Sequence, residues 1–310
     1  MIRITVPAST SNLGSGFDTL GLALALYLTV EIEPTAEPYG SFVFEGEGSA
    51  DLRSASHDNL IFETMRMVAA REKVELKPAR IRVRNEIPLA RGLGSSGAAI
   101  IAGISAFEVL TGVTLGTDAI LGYAAEIEGH SDNVSAALLG SFVVSCVTDD
   151  NKVLAGRIEW PGDIRAVAVI PDFMLRTHDA RAAIPETVPH RDAVFNVQRS
   201  SLMVAAVAVD RRDLIREAMK DRLHQPFRAA LVPGLKDVLD LMEDTGDQLS
   251  GLSGFLGLSL SGSGPTILAL ATGDFDAIAE EISARFESYQ ITCRSQVLSI
   301  EPKGRRIEQL

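Results

Sequence analysis

Apolar and polar positions alternate over many short segments of this chain, a pattern typical of half-buried β-strands. Strands are predicted at residues 2–6, within 20–32, and at 41–44, 81–84, 141–147, 166–170, 256–260, 266–270 and 295–300. Other stretches place apolar residues on one helical face. Helices are predicted at about 59–71, 98–110, 117–129, 192–209, 212–220, 235–244 and 275–287, with Asp58 or Asn59 capping the first and Thr117 the third.

The order of these elements suggests two halves. Residues 7–18 and 171–191 are predicted to be irregular, and the polar, turn-rich stretch 149–161 marks a boundary. We therefore expect an N-terminal domain at 1–155 and a C-terminal domain at 156–310, each of ordinary size. The second half follows the split βαβ order of strand, helices, two strands, helix and strand.

A glycine- and serine-rich loop lies between the strand at 81–84 and the apolar helix that follows. It comprises Pro88, Leu89, Ala90, Arg91, Gly92, Leu93, Gly94, Ser95, Ser96, Gly97 and Ala98. A helix N-terminus presents unpaired N–H groups and partial positive charge, and glycines let an anion approach them. Either serine can cap the helix, or a hydroxyl can reach Mg²⁺. Phosphate binding is the favoured interpretation, and a tight turn with a serine cap is the alternative.

Other glycine loops fit this stretch less well. Gly92, Gly94 and Gly97 satisfy the dinucleotide pattern G-x-G-x-x-G, but no apolar strand end precedes them and no acidic residue ends a following strand at the usual distance. Ala98 stands where a Walker loop has lysine, and no G-x-S-x-G is present.

Polar clusters elsewhere are further candidates, each with a simpler structural interpretation. Asn12 and Asp18 flank glycines that a turn also requires. Arg181 and Arg228 are either surface residues or a bidentate clamp for a carboxylate. The segment 261–264 is either a hairpin turn or a second glycine loop whose backbone N–H groups face the first loop and an anion. Glu126 and Glu128 end the predicted helix 117–129, where acidic residues oppose the helix dipole, so a metal or phosphate role is one interpretation, and one solvated glutamate with one helix ion pair is the other. The helix runs into three further candidates, His130, Asp132 and Asn133.

Composition narrows the choice of function. Of 310 residues, 46% are hydrophobic, enough for a substantial core, and the net charge of −12 argues against a nucleic-acid partner. Arg305 and Arg306 are predicted to lie in a solvated tail. Cys146 and Cys293 are expected to be buried free thiols, as in a reducing cytosol. With no signal-peptide pattern and no membrane-length apolar run, a cytoplasmic protein without a membrane partner is expected.

Together the motifs resemble those of the GHMP small-molecule kinases, and within them the homoserine kinases. The resemblance rests on residues 7–18, 88–96, 128–134 and 259–265, which span nearly the whole chain. It implies an α+β GHMP kinase fold, with an N-terminal domain similar to ribosomal protein S5 domain 2 and a ferredoxin-like C-terminal domain.

The resemblance also implies roles for individual residues. ATP would lie over the loop at 88–98, and Ser96 with Glu126 would hold Mg²⁺, Glu128 being the neighbouring alternative. L-homoserine, the implied acceptor, would meet Asn12, Asp18, His130, Arg181 and Arg228. Asp132, Asn133 and Arg181 would be the catalytic residues.

Two rival functions remain open at this point. One is another GHMP kinase that acts on mevalonate, an isoprenoid or a sugar; the other is a nucleotide-binding protein without turnover. Family analogy makes a homodimer possible.

Overall fold

Two β-sheets organise the chain. The computed structural model describes residues 1–35, 41–49, 59–242 and 249–310. The first sheet contains β1 (Ile2–Asn12), β2 (Gly16–Pro34), β3 (Ser41–Gly46), β4 (Ala79–Asn85), β5 (Phe142–Val147), β6 (Val153–Ile158) and β11 (Arg306–Gln309). Its strand order is β11-β1-β2-β4-β3; β5 also pairs with β2, and β6 pairs with β5. Among the strand pairs formed by the described residues of this sheet, only β3 and β4 run parallel.

The second sheet lies in the C-terminal half. It contains β7 (Arg165–Pro171), β8 (Phe255–Leu260), β9 (Ile267–Ala271) and β10 (Cys293–Leu298), all antiparallel, in the order β10-β7-β9-β8. Helices connect β7 to β8 and β9 to β10, so the split βαβ order predicted from the sequence is confirmed.

Ten α-helices lie within the described ranges. They are α1 (Leu60–Glu72), α2 (Ser95–Thr111), α3 (Thr117–Glu128), α4 (Asp132–Leu139), α5 (Thr177–Ala182), α6 (His190–Ala208), α7 (Ile215–Ala218), α8 (Gln225–Arg228), α9 (Leu235–Asp240) and α10 (Phe275–Glu287). α2 is apolar on nearly every face because it lies against β1, β2 and three other helices. None of these helices is long and apolar enough to cross a membrane.

Several predicted elements are confirmed, and some boundaries are wrong. Asn59 caps α1 by accepting the N–H of Ile61, whereas Asp58 lies outside the described residues, as do 243 and 244 of the predicted helix at 235–244. Gly116, and not Thr117, is the N-cap of α3. The predicted helix at 212–220 is a 3₁₀ turn followed by the short α7.

The segment 7–18 is not an irregular loop as predicted. β1 continues to Asn12 and β2 begins at Gly16, with register shifts at Pro7/Ala8 and Ser11/Asn12. A register shift interrupts the alternation of inward and outward side chains along a strand. This is why a polar segment without regular alternation can still form strands. Asn12 and Asp18 both have positive φ, at 71° and 55°.

The C-terminus is not a solvated tail. β11 pairs with β1, Arg305 is hydrogen-bonded to Ser105 at 3.1 Å and pairs with Glu108, and Arg306 pairs with Glu301 at 2.9 Å. Both cysteines are free, but Cys146 is exposed and Cys293 only partly buried, against the prediction.

The division at residues 155 and 156 remains a prediction for the domains. Within the sheets, β6 crosses this position, and β11 returns from the C-terminus to the first sheet. Residues of the predicted C-terminal half therefore contribute to the first sheet through the end of β6 and through β11.

Candidate active site

Three sequence motifs converge where the two sheets meet. The end of β1, the loop at 88–94 and the turn after β8 are held together by backbone bonds: Ser9 N–H to Leu93 O at 3.2 Å, and Gly262 N–H to Ser11 O at 3.3 Å. Ser261 Oγ also bonds Thr10 Oγ1 and Gly92 O, at 2.8 and 2.6 Å. At Gly92 a side chain would lie 2.2 Å from Ser261 O, so only glycine permits this approach.

The glycine- and serine-rich loop ends in the N-terminus of α2. Gly94 is the N-cap in the left-handed conformation, with φ of 68°, and no side chain caps the helix. Neither serine therefore acts as the cap that the sequence allowed. The free N–H groups of the first turn and the helix dipole make this terminus suited to an anion.

The Ser96 hydroxyl points away from the helix and toward α3. Its Oγ lies 2.5 Å from Glu128 Oε1, whose side chain is 9% exposed. Burial is the largest influence on the Glu128 carboxyl and raises its pKa. Glu126 lies on the outer side of α3, where it pairs with Arg71 and is 55% exposed. The structure thus does not bring Glu126 to Ser96; Glu128 occupies that place.

The segment after α3 folds back into the site. His130 Nδ1 lies 2.6 Å from Asp132 Oδ1, and its Nε2 lies 3.7 Å from Glu128. Burial opposes charge on both members of the pair, but their mutual contact outweighs it. As a result the pKa of His130 is raised and the pKa of Asp132 is lowered.

Asn133 is held by β1 on both sides of its amide. Its Oδ1 accepts from Ser9 Oγ at 2.9 Å, and its Nδ2 donates to Ser11 Oγ at 3.0 Å. These contacts fix the start of α4 against the loop that leads to α2.

Asp18 and Arg181 form a bidentate ion pair. The guanidinium of Arg181 donates to both carboxylate oxygens of Asp18, at 2.7 and 3.0 Å, although α5 lies far from β2 in sequence. Asn12 orients this segment: its Oδ1 accepts the N–H of Asp18 at 3.1 Å, and its Nδ2 donates to Gly262 O at 3.0 Å.

Arg228 is among the largest fully enclosed side chains of the described protein, at 2% exposure. It donates to Ala180 O at 3.2 Å, to Gly262 O at 2.8 Å, and to His224 Nδ1 at 3.2 Å. Burial, with the nearby charge of Arg181, lowers its pKa to about 10, which leaves it a cation at neutral pH. Its guanidinium lies over the ring of Phe17 at 5.5 Å.

These groups face one cavity of about 440 Å³. One part of its lining is apolar, and the rest carries the polar residues just described. The apolar part includes Leu28, Phe44, Leu60, Ile61 and Leu89. The rest of the lining includes the other residues of the loop at 88–96 together with Asn12, Asp18, Glu128, His130, Asp132, Asn133, Arg181 and Arg228. Gly97 and Ala98 are buried in the first turn of α2 and do not line it.

The sequence reasoning missed two residues that line this cavity and two that lie behind its lining. Arg176 and Thr177 line it at the start of α5, and the Arg176 side chain has no ion pair or hydrogen bond among the described residues. Phe17 and His224 lie behind the arginines, stacked at 5.2 Å. Arg176 and His224 stand in polar stretches where nothing in the pattern distinguishes them from surface residues. No group of three or more His, Cys, Asp or Glu side chains suited to a metal is found in the described ranges.

Comparison with known proteins adds independent evidence. The family described as GHMP kinases N terminal domain matches residues 59–141, and GHMP kinases C terminal matches residues 203–288. A homoserine kinase of Caldanaerobacter subterraneus subsp. tengcongensis is 39% identical over 308 residues, which cover 99% of this chain and 95% of that protein.

Two further relatives agree. A homoserine kinase of Thermus thermophilus is 42% identical over 275 residues, which cover 89% of this chain and 88% of that protein. The crystal structure of homoserine kinase from Cytophaga hutchinsonii aligns with a TM-score of 0.83 at 26% identity, covering 99% of this chain and 97% of that one.

Proposed function

Because the chain belongs to the homoserine kinases of the GHMP kinase family, we propose that the cavity described above is where it transfers the γ-phosphoryl group of ATP to the hydroxyl of L-homoserine. The family resemblance and the α+β fold expected from the motifs are confirmed by these relatives. The roles of individual residues are our proposals.

The nucleotide would lie along the glycine- and serine-rich loop. The phosphates fit the N-terminus of α2, where N–H groups are unpaired, and the adenine fits the apolar part of the cavity near Phe44 and Leu60. The loop has no Walker lysine, but Arg91 within it and Arg176 at the start of α5 line the same cavity and supply positive charge. Arg91 is paired with Asp172 at 3.2 Å, whereas Arg176 remains available.

A magnesium ion fits the oxygen atoms beside the phosphate loop. The hydroxyl of Ser96 and the carboxylate of Glu128 are both hard oxygen donors, and Mg²⁺ commonly takes only one or two protein ligands beside phosphates. We therefore assign Glu128, in place of Glu126, as the carboxylate ligand. When bound, the ion would neutralise charge on the phosphates.

The acceptor would lie on the opposite side, against the arginines. Arg181 and Arg228 suit the α-carboxylate, Asp18 suits the ammonium group, and Asn12 with His130 would complete the polar wall. This combination of charges is what an amino acid requires and what mevalonate or a sugar does not.

The chemical step then depends mainly on position. Phosphoryl transfer through a loose transition state needs little early deprotonation of the nucleophile. Asp132 accepts hydrogen bonds from His130 and from the N–H of Asn133, so its carboxylate is ionised and fixed. We assign it the role of accepting the substrate hydroxyl proton late in transfer. Asn133 holds the helix that carries Asp132, and the N–H groups of α2 stabilise the transferring group.

The observation that carries this proposal is the meeting of the phosphate loop with Asp18, Arg181 and Arg228 in one cavity. Purified protein should be incubated with ATP and magnesium and a panel of acceptors, namely L-homoserine, mevalonate and a hexose, with products identified by mass spectrometry. O-phospho-L-homoserine is the expected product. Phosphorylation of another acceptor alone, or binding of ATP without any turnover, would support one of the rival functions.

A further inference from the structure

We propose that His224 is a positioning residue that sets Arg228 at a fixed distance from the segment carrying Asp18, so that both charges of an amino-acid substrate are received together. This inference rests on the proposed function, because it takes Arg228 and Asp18 as the two charged contacts. His224 does not line the cavity itself. Its influence therefore passes through the residues it contacts.

The first observation is that His224 contacts both parts of the binding site. Its Nε2 lies 2.8 Å from the carbonyl oxygen of Gly14, in the turn between β1 and β2. Its Nδ1 lies 3.2 Å from Nη1 of Arg228. The imidazole thus spans from the segment that carries Asn12 and Asp18 to the arginine four residues along the chain.

The two contacts determine which tautomer is present. A carbonyl oxygen can only accept, so Nε2 carries the proton; a guanidinium can only donate, so Nδ1 is bare. A single imidazole that satisfies both is neutral. Complete burial of His224 and the nearby charge of Arg228 lower the pKa of the imidazole, although the carboxylate of Asp221 acts to raise it. The lowered pKa agrees with a neutral ring.

The arrangement also determines which face of Arg228 is free. Nε donates to Ala180 O, and the two protons of Nη1 are directed to Gly262 O and His224 Nδ1. Nη2 makes no hydrogen bond to any described residue, although Arg228 lines the cavity. The protein therefore engages three of the five donors and leaves one nitrogen to meet a carboxylate.

The histidine is itself held in place. Its backbone N–H donates to Asp221 at 3.0 Å, and that buried carboxylate also accepts the N–H groups of Leu223 and Gln225 at 2.9 and 2.7 Å. Phe17 stacks on the imidazole at 5.2 Å with an interplanar angle of 21°. Because the ring is held at both nitrogens and on one face, it does not move to follow Arg228. The position of the ring therefore determines the position of the guanidinium.

The tautomer can be tested without reference to substrate. Nitrogen-15 NMR of histidine-labelled protein at neutral pH should show one neutral imidazole protonated at Nε2, and this signal should be absent from the His224→Gln variant. A signal for His224 that is doubly protonated, or protonated at Nδ1, would overturn the proposal, whatever substrate the enzyme uses.

Kinetics of two variants test the positioning role. His224→Phe keeps the stack on Phe17 but removes both ring hydrogen bonds, whereas His224→Gln retains a donor and an acceptor. We expect the KM for L-homoserine to rise about tenfold or more in His224→Phe, with the KM for ATP unchanged, and to recover partly in His224→Gln. His190→Gln, at the exposed start of α6, is the matched control.

A double-mutant cycle separates positioning from general damage. In an Arg228→Ala background, His224→Phe should add little to the KM for L-homoserine, because the residue it positions is gone. Full additivity, or an unchanged KM in His224→Phe, would refute the proposal. If His224→Phe does not fold, the same cycle with His224→Gln and the NMR signal decide. Absence of homoserine phosphorylation by the unmodified enzyme would instead count against the proposed function.

Discussion

Two glutamates two residues apart on α3 have opposite surroundings. Side chains at this spacing leave an α-helix about 200° apart, so one faces the site and the other faces solvent. The sequence identified both as unusual at a helix C-terminus but contained nothing to choose between them. The choice depends on how α3 is rotated against α2, which is set by packing.

Removing the charge of Glu128 should damage turnover far more than removing that of Glu126. We expect Glu128→Gln to lower kcat by about a hundredfold, since a magnesium ligand and the partner of Ser96 are lost. Glu126→Gln, on the same helix, removes only an exposed ion pair with Arg71, so it should change stability and turnover little. Initial rates and thermal melts of both variants make the comparison. Equal losses of activity would argue against the assignment of Glu128.

Arg228→Ala should selectively impair use of L-homoserine. Loss of one charge-assisted contact worth about 1.5–3 kcal/mol corresponds to roughly ten- to a hundredfold in kcat/KM. The matched test uses an amino alcohol that lacks the carboxylate. This compound should be a poor acceptor for the unmodified enzyme, and its phosphorylation rate should fall little further in the variant. If both acceptors lose equally, Arg228 is structural or faces phosphate.

At the scale of elements, the sequence predicted best where an element buries its own apolar face. The helix at 275–287 and the strand at 166–170 have such patterns, and both are found, the helix with the predicted bounds. Elements stabilised chiefly by a neighbour were missed. β11 is mostly exposed and depends on its bonds to β1, and α4 begins with polar residues that serve the site.

The start of α2 depends on a glycine in a conformation that other residues avoid. A side chain at Gly94 would lie 2.1 Å from Ser9 Oγ, which already bonds Asn133, and 2.9 Å from the backbone oxygen of Ser9, so Gly94→Ala must displace part of β1. Gly112, at the other end of α2, has a similar positive φ but no atom within 4 Å of such a side chain. We expect Gly112→Ala to cost about 1–2 kcal/mol from backbone strain alone. Gly94→Ala should cost more and also weaken ATP affinity, as measured by chemical denaturation and calorimetry; equal effects would contradict the steric argument.

At the scale of the whole molecule, the C-terminus ties the two halves together. After β10 the chain returns to the first sheet, and Glu301 anchors that return. Its carboxylate accepts from Tyr27 Oη at 2.6 Å and from Lys303 N–H at 2.9 Å, and pairs with Arg306 at 2.9 Å. Local patterning could not predict this closure, because its partners lie at the opposite end of the chain.

This anchor should make stability depend on pH. Burial raises the pKa of Glu301, but its hydrogen bonds and Arg306 outweigh that effect and leave it lowered. A carboxyl with a lowered folded-state pKa stabilises above its unfolded pKa of about 4.3, and this contribution is lost as the pH falls through the folded value. Glu301→Gln should therefore reduce Tm at pH 7, with the deficit shrinking below about pH 4. Glu308→Gln, on exposed β11, is the control, and a deficit independent of pH would exclude an ionic origin.

In the bidentate pair between Asp18 and Arg181, the two residues proposed to receive the opposite charges of an amino acid neutralise each other. Admission of an amino acid is then an exchange of partners, in which one ion pair is opened and two are made. A ligand with a single charge would pair with one of these two residues and leave the other without a partner. The pocket therefore selects ligands by the number of charged groups they carry as well as by shape. Because an amino-acid zwitterion carries no net charge, its long-range attraction to the pocket is small, and the KM for L-homoserine should vary little between about 10 and 150 mM salt, over which the screening length falls from about 30 to 8 Å. A steep rise in KM with salt would indicate ordinary attraction to an open cationic site.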